Sequence, residues 1–322
     1  MILFINIIVI VLHLWSAAVI FYCSYPKLPV LSAVLSLAYL FLILSFSRKS
    51  TRNLFLSCVV FGVVLFWFLT MKPPAHAVFS ADLQMPHARI NNDQVTIHKV
   101  RNNLYRTRED FDLHYETRVY DLNKLRSLDL MVNYWGLDFV AHTFLAFGFS
   151  DGQFLDVSVE IRPPNGDKYD MAKGYFNRYE TIYIWGDEHD LIDKRTNAQG
   201  EDVYLYRFKA QPPVIRKLFL RLIERTNALY IRPEFYNTTT QSCASTLQDD
   251  AADAGVYICP LWKRWMFTGD IDKRFYREGI LETYGLPFNE LRRRANIDAR
   301  AKAAARSPDF SQQIRTHLKT GT

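Results

Sequence analysis

The sequence predicts an α+β fold mounted on a membrane. Three N-terminal transmembrane helices precede a domain built on an antiparallel sheet with a cysteine-bearing helix. Three observations carry this expectation. Apolar stretches at residues 2–22, 28–46 and 54–71 each approach the roughly 20 residues of a bilayer span. Later segments alternate apolar and polar residues with the period of a strand. A polar, turn-prone run from Asn237 to Ser242 leads into CASTLQDDAADAG, so Cys243 stands where a loop turns into a helix.

The first apolar stretch lacks a basic leader and contains His13 and Trp15, which argues against a cleaved signal peptide. Arg48, Lys49 and Arg52 join the second and third stretches and belong in the cytoplasm by the positive-inside rule. Three spans then place the N-terminus inside and everything after Met71 outside, in the periplasm of a bacterium. His13 reads as a tolerated residue near the interface. The expected organisation is an anchor at 1–72, a linker and first strand at 73–101, a catalytic domain at 102–258 and a helical, basic extension at 259–322. The 322 residues carry a formal charge of +6, concentrated partly in Arg292, Arg293, Arg294 and on to Arg306. A solvated helix face accounts for these, and nothing resembles a nucleic-acid module.

QVTIHKV reads as a strand, DLNKLRSLDLMV as a helical turn after Asp121 and then a strand. VAHTFLAFGFSDGQFLDVSVEIR, residues 140–162, reads as a β-hairpin, and its register matters. A two-residue turn at Asp151-Gly152 sets Glu160 opposite Thr143. A three-residue loop at Ser150-Asp151-Gly152 pairs Phe149 with Gln153 and sets Glu160 opposite His142. Glycine accepts the positive φ of the second form without a steric penalty, so that register is expected.

RPPNGDKYDMAKGYF is turn-rich, and ETIYIW and EDVYLYRF are strands. Asp187-Glu188-His189-Asp190 could be taken for a metal cluster, but no partner ligands are identifiable. It reads as a surface loop capping DLIDKRTN, and neither metal nor cofactor is expected. Pro212-Pro213 ends a strand, and the following 18 residues form an amphipathic helix with Leu218, Leu222 and Leu229 on one side. Trp262, Trp265, Met266 and Phe267 suit a core or a headgroup-level groove. The tail reads as one helix broken before Pro308 and a short second helix.

A cysteine in the first turn of a helix sits at the positive end of the dipole, which favours its thiolate. With His142 and Glu160 it would form a nucleophile, a base and an orienting group. Two structural readings compete: a polar pair on a half-exposed sheet, and a disulfide between Cys243 and Cys259, 16 residues apart. Cys23 and Cys58 read as small apolar residues in or beside the spans.

The motifs YRTREDFDLHYETRVYDLNKL, WGLDFVAHTFLAFGF, SVEIR, YETIYIWGDEHDLIDKRTN, EDVYLYRF and RPEFYNTTTQSCAST, taken in order, resemble the DUF4105 family. This family is also called the Lnb N-terminal periplasmic domain, after a lipoprotein N-acyltransferase. The resemblance implies a circularly permuted papain-like domain with Cys243 as nucleophile, His142 as base and Glu160 as third member. Ser242, Thr143, Tyr236 and Asn237 would line the substrate site. It further implies a phospholipid or lipoprotein substrate at the inner membrane. Two departures stand out: members carry Asn before the cysteine where this chain has Gln241-Ser242, and Asp-Glu-Arg-Asp where it has Asp187-Glu188-His189-Asp190. The expected function is a cysteine-dependent acyltransferase or hydrolase. The alternatives are a peptidase or amidase acting on wall peptide and a non-catalytic binding module.

Overall fold

The computed structural model describes residues 2–318 apart from 25–27, 46–50, 75–77, 135, 137–139, 168–169, 239, 257–267 and 306. Cys259, the Trp262–Phe267 groove and most of the basic loop before Arg52 lie outside the described residues. The chain divides into two compact units.

The first unit comprises Met1–Val78, Pro163–Glu180 and Glu234–Thr238. Its helices are α1 (Ile2–Cys23), α2 (Pro29–Ser45) and α3 (Thr51–Thr70). Ser36 Oγ donates to Ala17 O and Tyr39 OH meets His13, so α2 runs antiparallel to α1. His13 meets Ser57, and Trp15 meets Phe61 and Phe68, so α3 runs parallel to α1. Among the described residues only two helices, Phe4–Cys23 and Arg52–Thr70, are long and apolar enough to cross a membrane. Three helices of spanning length were expected; two among the described residues meet that length, and α2 does not. At 17 residues α2 extends only about 25 Å, short of the ~30 Å hydrocarbon core. His13 is no interfacial bystander: it is buried between all three helices, bonded to Tyr39 and Ser57 at 2.6 Å each.

The second unit comprises Phe79–Arg162, Thr181–Pro233 and Thr239–Thr322. Its strands are β1 (His87–Asn91), β2 (Gln94–Arg101), β3 (Leu104–Tyr105), β4 (Phe111–Asp112), β5 (Tyr115–Asp121), β6 (Leu125–Tyr134), β7 (Ala141–Phe149), β8 (Phe154–Arg162), β9 (Glu180–Gly186) and β10 (Asp202–Arg207). Eight of them form one sheet in the order β1-β2-β9-β8-β7-β6-β10, with β5 also on β2. Residues 87–101, expected as a linker and first strand, are thus part of the same sheet as the hairpin. The hairpin pairs Phe144 with Ser158 and Gly148 with Phe154, the register of the three-residue loop. Phe149 N–H donates to Gln153 O, and Gly152 takes φ +86°.

One sheet face packs Leu145, Phe147, Val157 and Trp185 against a helix whose buried residues include Phe219 and Leu222. The other packs Phe144, Ala146, Ile182 and Ile184 against Leu191, Ile297 and Phe310. Every residue of β7 is therefore buried, which is why AHTFLAFGF reads as a nearly continuous apolar run.

The helices complete the second unit, except that α4 (Met171–Tyr175) belongs to the first. It stands within the stretch expected as turns, capped by Asp170, whose carboxylate accepts from Lys173 N–H. Next come α5 (Glu188–Asp193), α6 (Pro212–Ile231) and α7 (Cys243–Asp253). The two prolines that end the preceding strand open α6, since proline's fixed φ suits the first helical turn. The C-terminal helices are α8 (Ile271–Arg277), α9 (Phe288–Ala295), α10 (Asp298–Ala304) and α11 (Phe310–Gln313). The single tail helix expected before Pro308 is broken at Asn296. There the backbone turns extended, and Ile297 N–H donates to Val203 O. Arg292 is not part of a freely solvated face, because its guanidinium lies over the rings of Tyr134 and Tyr204.

Candidate active site

Cys243 is the first residue of α7. Ser242 caps that helix, its Oγ accepting from Ser245 N–H while Ser245 Oγ accepts from Ser242 N–H. Serine serves as an N-cap about as well as asparagine, so the departure from the family pattern preserves the helix start. The thiol hydrogen-bonds the His142 ring and the Thr143 backbone. Cys243 is a free thiol, and the partner of the alternative disulfide, Cys259, is not described.

His142 is buried on β7. Its Nε2 lies 2.7 Å from Ser158 Oγ and 3.2 Å from Glu160 Oε1. Ser158 spends its only proton on Glu160, at 2.7 Å, so Nε2 is the donor to Ser158. Arg195 grips the same carboxylate oxygen at 2.7 Å and stacks on Phe144 with its guanidinium 4.6 Å from the ring centroid.

The electrostatics follow from burial and these partners. Burial alone would depress the His142 imidazole, but Glu160 and Cys243 override it and raise the pKa to about 9. Burial would raise the Cys243 thiol, but the charge and hydrogen bond of His142 and the Thr143 amide bring it below its ordinary value. Glu160 lies well below the usual carboxylate range, because His142, Arg195 and Lys194 outweigh its burial. Burial and the cations Arg101 and Arg195 lower Lys194 to about 8. The arrangement suits a thiolate–imidazolium pair backed by a carboxylate.

Of the remaining expected site residues, Thr143 lies beside the thiol. Tyr236 and Asn237 belong to the first unit, where Tyr236 N–H donates to Tyr179 O and Asn237 Nδ2 to Tyr175 O. Ser158 and Arg195 were not foreseen. Alternation on β8 places Ser158 on the face of Glu160, a signal available in the sequence. Arg195 sits in a π-helical turn, Lys194–Ala198, 35 residues from Glu160 in the chain, and carried no such signal. Asn133, opposite His142 on β6, donates to Glu201 at 2.6 Å.

The Asp187–Asp190 cluster caps α5 as expected, with Asp187 accepting from His189 N–H. It is not a surface loop, however. Glu188 and Asp190 are buried, paired with Arg315 and with Arg101. His189 bonds Ser307 O at 3.0 Å and packs on Phe310. Among the described residues no cluster of three or more ligand-type side chains could hold a metal.

An apolar cavity of about 130 Å³ lies among Leu128, Leu145, Leu218, Leu247 and Phe275. Thr143 and Ala244, which flank Cys243 in space and in sequence, also line it. Compared with family models, residues 111–257 match the Lnb N-terminal periplasmic domain. No curated protein and no solved structure matches the chain.

Proposed function

We propose, from the match of residues 111–257 to the Lnb N-terminal periplasmic domain family, that this is a thiol-dependent acyl-transfer enzyme at the outer face of the inner membrane. The family and the two apolar helices describe a membrane-anchored protein with a periplasmic domain. The observation that carries the catalytic reading is the hydrogen-bonded contact of Cys243 with His142, with Glu160 and Arg195 behind the imidazole. The order of these elements suits a permuted papain-like arrangement, with a helix-borne thiol beside a strand-borne histidine.

In this reading Nε2 is engaged by Ser158 and Glu160, which leaves Nδ1 for the thiol. The thiolate attacks the ester carbonyl of a membrane phospholipid. The N–H groups of Cys243 and Ala244, which the Ser242 cap does not use, receive the oxyanion in this reading. The tetrahedral adduct collapses by breaking the ester C–O bond, and the His142 imidazolium gives its proton to the departing lysolipid oxygen. The acyl group remains as a thioester. An amine, such as a lipoprotein N-terminus, then attacks the thioester and loses its proton to His142, releasing an amide and the thiolate. The apolar cavity favours an acyl chain over a wall peptide.

The test is direct. The full-length protein is placed in phosphatidylethanolamine vesicles, and the Cys243 peptide is weighed before and after hydroxylamine. An acyl mass on Cys243 that hydroxylamine removes, and that Cys243→Ser lacks, supports the reading. A Cys243 that alkylates readily but never acquires an acyl group overturns it. Turnover to free fatty acid without any added amine would recast the enzyme as a hydrolase.

A further inference from the structure

In the first unit, α1 ends in an aromatic contact that fixes the level of another segment. Its 22 residues extend about 33 Å, so its last turn reaches the boundary of a ~30 Å hydrocarbon core. Tyr22 in that turn is the residue type that settles among headgroups. The ring of Phe176 stacks on Tyr22, centroids 4.9 Å apart and planes within 7°. Cys23 Sγ donates to Phe176 O at 3.1 Å, and Phe176 packs onto the apolar cluster of the three helices.

Phe176 directly follows α4, whose short helix is two-faced. Met171 and Tyr175, four residues apart, share one face and remain 51% and 42% exposed. Lys173, on the other face, pairs with Asp167 at 2.5 Å, and Arg178 pairs with the same carboxylate at 3.2 Å. The exposed apolar pair thus belongs to a helix whose next residue, Phe176, packs on the end of a helix long and apolar enough to cross a membrane.

We propose that α4 lies in the outer headgroup layer of the same membrane, with Met171 and Tyr175 inserted among lipid. Cations neutralised by Asp167 rather than left for phosphates make this an insertion of apolar side chains, not an electrostatic patch. The contact has a connection to the chemistry through the chain. Thr238 N–H donates to Gly174 O at 3.1 Å, and Asn237 Nδ2 donates to Tyr175 O. The absence of a side chain at Gly174 makes this possible, since a Cβ there would meet Thr238 Oγ1. Five residues after Thr238 comes Cys243.

This inference rests on the anchor and not on the thiol chemistry. Benzoylphenylalanine is placed singly at positions 171, 175 and 173 of the full-length protein, in phosphatidylethanolamine–phosphatidylglycerol vesicles, and irradiated. Phospholipid adducts, identified by mass, should be several-fold more abundant from 171 and 175 than from 173. The same pattern should persist in Cys243→Ser, which separates a failure here from a failure of the catalytic reading. Equal yields from all three positions, no lipid adduct at 171 and 175, or adducts to another protein instead would overturn the proposal.

Discussion

Replacing Glu160 by Gln removes the charge that supports His142 while keeping the size of the side chain. The His142 pKa lies about 9 against an ordinary 6.5, a difference worth about 3 kcal/mol. The charge of Glu160 is the largest single influence that raises it, and that influence disappears with the carboxylate. Burial then acts on the imidazole against Cys243 with the carboxylate's help withdrawn. The imidazolium is the group that draws the Cys243 thiol below its ordinary value, so the thiol must rise as the imidazolium is lost. The assay is the rate of iodoacetamide alkylation of Cys243 against pH, read by peptide mass spectrometry. The midpoint should move upward by more than one unit in the variant, and the rate at pH 7 should fall on the order of tenfold. Ser158→Ala, which keeps the charge and deletes only the bridging hydroxyl, should give a smaller shift in the same direction. It also serves as the informative variant should loss of the partner of Arg195 prevent folding. Superimposable profiles for wild type, Glu160→Gln and Ser158→Ala would refute the coupled thiolate–imidazolium–carboxylate arrangement.

Other consequences can be measured separately. The folded pKa of Glu160 is depressed, so its contribution to stability is present above its ordinary value of 4.5 and is lost as pH falls through the folded value. Denaturant unfolding should therefore show the stability difference between wild type and Glu160→Gln shrinking steadily as the solution is acidified below pH ~4.5; a difference that grew would contradict the sign. Asp190→Asn should destabilise the fold by roughly 3–5 kcal/mol, because it strands buried Arg101, whose guanidinium meets Asp190 at 2.6 Å; a loss under ~1 kcal/mol would mean that the pair is not holding α5 to β2. Ala251→Phe places a ring in the apolar cavity. Long-chain thioester formation on Cys243 should fall while short-chain activated esters still acylate it, and equal loss for both would separate the cavity from acyl binding.

Several of these features were legible before any fold was known, because they depend on neighbours in the chain. Ser150-Asp151-Gly152 specifies a loop with one left-handed residue, and that alone sets the hairpin register bringing Glu160 opposite His142. Asp121 caps a helical turn and Leu125 begins a strand, as the local pattern requires. The start of α7 at Cys243 follows from a serine cap and the small helix-forming residues behind it. By contrast, the burial of His13 between α1, α2 and α3 depends on helices brought together from distant parts of the chain. The tail helix breaks at Asn296 because β10 offers Ile297 a backbone partner.

What the sequence by itself determined was the apolar anchor, the hairpin with its register, and the helix that starts at Cys243. Only the tertiary structure decided which charges are buried and by what they are held. Arg101 reaches Asp190 across 89 residues of chain, and Arg315 reaches Glu188 across 127. Four polar residues in a row read as a solvated loop until those partners are in place. The same holds for Arg195 on Glu160. A lone charge is stable in water and costly in a core, so the burial of a carboxylate is settled by a distant guanidinium, which no local pattern can announce.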